Sequence, residues 1–198
     1  MEQSFATIVS APRPSLGARL TAPEIQSATQ EFARLAAGLG LSALYGLALG
    51  ARSGGVALLQ HALGASAGLA AVAVLGIPAL FVLLALIDAP VSPSGMLSVG
   101  ARSLASAGFV LAGLAPSAAL LAVTIESSEA AAFVTRAGLC LAGGIGFYQL
   151  LSSVRAMLEE LPPEARLKSD ALLCGFSLFA IMLAARVWYA LPILKGAV

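Results

Sequence analysis

Five long apolar stretches, separated by short clusters of proline, serine and charge, set the pattern of hydrophobic and polar positions along the chain. A membrane-crossing helix needs about 20 mostly apolar residues, and five stretches qualify. The first covers residues 34–50 and ends at Arg52-Ser53-Gly54-Gly55. The second lies within GVALLQHALGASAGLAAVAVLGIPALFVLLALI and ends at Asp88. That run exceeds one perpendicular crossing, so its first part lies in the interface or the helix is tilted. The third covers 104–125, the fourth 131–157 and the fifth 171–194. DAPVSPSG, ESSE and LEELPPEARLKSD are the loops between the later spans, on their proline, serine and clustered charge. The pattern predicts an all-α fold, a polytopic membrane bundle of five transmembrane helices over residues 33–195. Residues 1–32 form a cytoplasmic arm. Pro12 and Pro14 oppose helix at its start, whereas Thr21-Ala22-Pro23-Glu24 supplies a cap, an early proline and an acid. A juxtamembrane helix therefore begins there and runs into the first span.

Composition agrees with a lipid environment. The 198 residues are 59% hydrophobic and 11% charged, with a mean hydropathy of +0.94, whereas a soluble domain is about a quarter charged. The net charge of +1 gives no basis for nucleic-acid binding. Lys and Arg are distributed unevenly: Arg13, Arg19, Arg34, Arg102, Arg155, Arg166 and Lys168 fall on one side of the predicted topology. Arg52, Lys195, Glu126 and Glu129 fall on the other. Such a bias predicts a cytoplasmic N-terminus. The opening MEQSFATIVSAPRPS has no basic start followed by an apolar core, so no cleavable signal peptide is expected. Cys140 and Cys174 lie within apolar runs and read as free thiols.

The candidate chemistry is sparse. Gly64-Ala65-Ser66-Ala67-Gly68 fits the G-x-S-x-G pattern of serine hydrolases, with the single histidine, His61, just upstream. A nucleophile elbow needs a sharp strand-to-helix turn, and here the serine lies in an unbroken apolar run. On one helix His61 and Ser66 would be about 140° apart around the axis and about 7.5 Å apart along it, too far for a base and its nucleophile. The same glycines make a small-x-x-x-small ridge on which another helix can pack closely in lipid. Gly46 and Gly50 repeat that spacing in the first span, and Gly138, Ala142 and Gly146 in the fourth. Pro78 and Pro116 fall near the middle of the second and third spans and predict kinks. Arg136, inside the fourth span near its outer end, is a candidate polar site with Glu126 or Glu129; Arg186 precedes Trp188 and Tyr189 in an interfacial belt. No metal-ligand cluster or cofactor fingerprint is found, so no cofactor is expected.

SALYGLALGARSGG, LGIPALFVLLALI and LAGLAPSAALLAVTIES together resemble the small Yip1-type bacterial integral membrane proteins. The matching positions are Tyr45-Gly46, Pro78 and Ala115-Pro116, within residues 42–127. The resemblance implies a five-span protein of the bacterial inner membrane with a cytoplasmic N-terminus. It also implies action through partner proteins rather than catalysis. The family's Tyr-Gly-Pro-type motif before span one is not found here. The resulting expectation is a non-enzymatic scaffold or subunit of a membrane complex, whose partners are the lipid bilayer and other membrane proteins or a second copy. The alternative is a transporter or channel component using the kinked midspan helices.

Overall fold

The computed structural model describes residues 22–51, 54–89, 91–125, 127–159 and 162–190. The chain divides into two units, residues 1–30 and 31–198. Described residues of the first form the opening turns of a helix; the second holds the bundle. The helices are α1 (Ala22–Gly50), α2 (Gly55–Ala85), α3 (Pro93–Thr124), α4 (Ser128–Met157) and α5 (Pro163–Ala190), and no strand occurs among the described residues. Each is long and apolar enough to cross a membrane. At about 1.5 Å per residue they run about 42–48 Å, longer than the roughly 30 Å hydrocarbon layer. Each therefore tilts or projects beyond the layer.

Local chemistry sets the helix ends. Gly54 and Gly55 both adopt positive φ (62° and 55°), which only glycine does freely, and so the chain reverses sharply between α1 and α2. α2 ends with the N–H of Ala89 on the Leu84 carbonyl and that of Asp88 on Ala85, both at 3.1 Å. This is a Schellman closure with Asp88 (φ 53°) in the left-handed position that glycine usually takes. Ser92 caps α3 by accepting from the Gly95 N–H at 3.1 Å, with Pro93 in the first turn. Ser127 caps α4 through the Ala130 N–H at 3.4 Å.

Two sequence expectations are corrected by these bounds. α3 starts at Pro93 rather than near residue 104, because Ser92-Pro93 is a helix start rather than the middle of a loop. Arg102 thus lies more than two turns inside α3 instead of flanking it. The fifth helix starts at Pro163, so more than half of the segment read as a loop is helical. α2 is one continuous helix across the whole second run, Pro78 included. The arm at 1–21, Arg52, Glu126 and Lys195 lie outside the described residues.

Register follows from the closest contacts. α1 and α3 run parallel, with Glu31 opposite Ser98 and Gly38 against Leu104, Ala105 and Gly108. α1 and α2 run antiparallel, with Gly50 on Leu58 and Gly46 on His61 and Ala62. α4 runs antiparallel to α3, with Gly95 near Met157 and Gly146 on Ser103 and Ala107. Arg34 and Arg102, each one turn beyond the Glu31–Ser98 pair, therefore stand at one level. Arg136 stands level with Tyr45, three turns further along and about 16 Å away. All three arginines are exposed. They mark two levels about 16 Å apart along the bundle.

Two apolar clusters fill the bundle. Leu80, Leu84, Met96, Val99, Leu150, Val154, Leu158, Leu173 and Phe176 pack together from α2 to α5 at the end holding the α2–α3 turn. Tyr45, Leu69, Leu104, Ala107, Leu111, Ala118, Leu139 and Ala142 form the other, deeper in the layer, and α1 joins only this one.

Candidate functional site

Among the described residues, glycines and hydroxyls meet where α1 crosses its neighbours. Gly38, Ser42, Gly46 and Gly50 recur every fourth residue and line one side of α1. A Cβ built on Gly46 would stand 2.6 Å from the Ala62 Cα and overlap the His61 carbonyl; on Gly50 it would be 2.7 Å from the Leu58 Cα. On Gly38 it would meet the Leu104 carbonyl at 2.9 Å, and on Gly108 the Gly38 backbone at 2.8 Å. Backbone touches backbone at these crossings.

Hydroxyls tie the same contacts. Ser42, fully buried, donates to the Leu39 carbonyl at 2.7 Å. Ser66 reaches across from α2 to that carbonyl at 3.0 Å, to Ala62 O of its own helix at 3.2 Å, and lies 3.4 Å from the Ser42 hydroxyl. The central serine of the G-x-S-x-G pattern thus binds a neighbouring helix. His61 donates through Nδ1 to Ala57 O at 2.7 Å, within its own helix. The Tyr45 hydroxyl donates to Val134 O of α4 at 3.3 Å, and its ring fills the space that a Cβ on Gly138 would need. Ser103 of α3 donates to Gly146 O of α4 at 2.6 Å, beside the contact of Gly146 with Ala107. Four of the glycines singled out from sequence, Gly46, Gly50, Gly138 and Gly146, stand at these contacts; Gly68 is buried and Gly64 half-buried in α2.

The remaining candidates lie outside this network. Pro78 and Pro116 are exposed on the outer surface of unbroken helices. Arg136 and Glu129 are exposed, and neither takes part in the two ion pairs found among the described residues, Arg34–Glu31 (2.7 Å) and Arg155–Asp170 (3.8 Å). Glu126, their proposed companion, lies outside the described residues. Cys140 and Cys174 are free thiols. One group stands out that spacing did not reveal. Glu31 accepts through Oε1 from Arg34 at 2.7 Å and from the Ser98 hydroxyl at 3.0 Å, while its Oε2 is buried without a hydrogen bond. Glu31 and Ser98 are far apart in sequence, and only the parallel register of α1 and α3 pairs them.

An apolar crevice of about 100 Å³ opens between α2, α3, α4 and α5, lined by Val72, Gly76, Ser103, Gly143, Phe147 and Phe176 among others. Phe147 and Phe176 meet there with ring centroids 6.2 Å apart. Together these features define a multi-pass helical membrane protein, closed by glycine crossings and serine ties. No protein-family model, curated protein or solved structure gives a significant match to the chain.

Proposed function

We propose that this chain is a non-enzymatic scaffold or subunit of a membrane protein complex, of the Yip1-like kind suggested by Tyr45-Gly46, Pro78 and Ala115-Pro116. Its setting in this reading is a bacterial inner membrane with the N-terminus in the cytoplasm, in keeping with the Lys and Arg bias. One observation carries the proposal. Hydroxyls at the crossings of the spans bind helix carbonyls, while Gly40 of α1 and Gly113 of α3 face open space where a Cβ would stand. Both are exposed. Glycine on a lipid-facing surface gives no stability to its own bundle, but it lets another helix backbone approach closely. Those two faces are where a second membrane protein, or a second copy, would pack. The exposed positions of Pro78 and Pro116 weigh for this reading over a transporter or channel component, whose broken helices would surround a central site. The test is extraction from native membranes in mild detergent, followed by measurement of the intact particle's mass. A stoichiometric membrane partner or a homo-oligomer, lost in Gly40→Leu or Gly113→Leu, is the expected result. A monomer that conducts a solute across liposomes would overturn it.

A further inference from the structure

Among the described residues, the crevice continues from between the helices to the outer surface of the bundle at Gly143. Gly143 lines it, is exposed, and has nothing within 4 Å of a built Cβ. On α3 the lining runs from Gly100 to Ala107. It therefore extends from the level of Arg102 toward the middle of the bundle. In the register above, this is the depth taken by the proximal part of an acyl chain in one leaflet. Gly143, Phe147, Leu151 and Arg155 form a single i, i+4 row along α4. Arg155 lies about 12 Å beyond Phe147 along the helix, at the headgroup end of that row. Its side chain is 61% exposed, and its only ion-pair partner among the described residues is Asp170 of α5, at 3.8 Å. The pairing is loose and engages Nε, which leaves the terminal nitrogens of the exposed guanidinium for a phosphate, a group arginine recognises in planar, bidentate fashion.

We infer that the α4–α5 face holds one glycerophospholipid as a bound molecule rather than a passing neighbour. One acyl chain occupies the crevice at Gly143 and Phe147, and the phosphate rests on Arg155. The carboxylate of Asp170 beside it suits a headgroup carrying its own cation, such as phosphoethanolamine. Two features carry the assignment: continuity of the crevice with the lipid-facing surface, and a cation at the correct end of the row.

The test is native mass spectrometry of the intact protein, released from mild detergent after reconstitution with phosphatidylethanolamine. Wild type is expected to retain one lipid. Gly143→Leu, which puts a side chain in the mouth of the crevice, is expected to lose it. Gly144→Leu makes the same change one residue on, at an exposed glycine outside the lining with equally open surroundings, and is expected to match wild type. Arg155→Gln is expected to lower retention about ten-fold, corresponding to the loss of one charge-assisted phosphate contact. Circular dichroism and elution volume identify any variant that has simply failed to fold, and Arg155→Gln, on the surface, keeps the proposal testable if Gly143→Leu does. Retention of no lipid by folded wild type overturns the inference. So does equal retention by the Gly143 and Gly144 variants, which would signify annular lipid only.

Discussion

The two halves of the bundle are held together by different means. At the end with the α2–α3 turn, side chains as large as Leu80, Leu84, Met96, Leu173 and Phe176 are almost completely buried between helices. Along α1 the contacts are Gly38 on Gly108, Gly46 on Ala62 and Tyr45 against Gly138, tied by Ser42 and Ser66. The solvent accounts for the contrast. Between helices in lipid there is no hydrophobic gain from burying leucine, because the tails are equally apolar, and close packing and hydrogen bonds take over. The large-residue cluster lies near the level of Arg34, Arg102 and Arg155, where water and headgroups compete. There, removing apolar area from water stabilises by about 25 cal/mol per Å². One chain thus combines a core of large side chains at the α2–α3 end with a seam of backbone contacts along α1.

A loss of the whole assembly is expected where the seam is tested. Gly46→Leu drives a side chain into the backbone of α2, and no rotamer can relieve contact with a main chain. The destabilisation should reach or exceed the ~3 kcal/mol upper end usual for overpacking, seen as loss of the monodisperse bundle in mild detergent. Gly40→Leu, six residues earlier on an open face, should change the stability of the isolated bundle by less than about 0.5 kcal/mol. Equal damage from both would mean that leucine in α1 is harmful wherever it falls, and the backbone contact would lose its special status.

The edge core responds to the opposite substitution. Phe176→Ala removes a ring that is 2% exposed and touches both Phe147 and Phe179. It should cost about 3–5 kcal/mol in an unfolding titration with a denaturing detergent. Leu120→Ala, at a residue 69% exposed on the outer surface, should be nearly silent. A silent Phe176→Ala would show that this end too is held by backbone contact, and the comparison would collapse.

These contrasts also explain which parts could be read from the chain alone. Five spans were legible because length and hydropathy are local properties. The spacing that marks Gly46, Gly50, Gly138 and Gly146 was legible for the same reason. The ladder from Gly38 through Ser42 has the same four-residue interval, but serine does not look like a packing residue until its partner carbonyl is known. Gly108, Ser103 and Glu31 depend on what stands opposite them, and register between helices is a tertiary property. The start of α3 was misplaced because Ser92-Pro93 serves equally well in a loop or as a cap. Only the contact of Gly95 with Ser92 separates the two.

The smallest effect is the most diagnostic, because it concerns the residue with two readings. Ser66→Ala removes the hydroxyl that joins α2 to the Leu39 carbonyl but leaves Ser42 bonded to that same oxygen. Interhelical hydrogen bonds in membranes average about 0.6 kcal/mol and rarely exceed about 1.7, so a loss within that range is expected in the same titration. The Leu39 carbonyl keeps one donor, which argues for the lower end. Ser42→Ala should then cost a similar amount, and the double variant more than the sum, since only in it is the carbonyl left without a hydroxyl. Labelling of wild type by a serine-reactive probe, abolished in Ser66→Ala, would instead make the hydroxyl a nucleophile. That result is unexpected from the geometry. The hydroxyl is already committed to carbonyls on two helices, and the imidazole of His61 is bonded to Ala57 O rather than to Ser66.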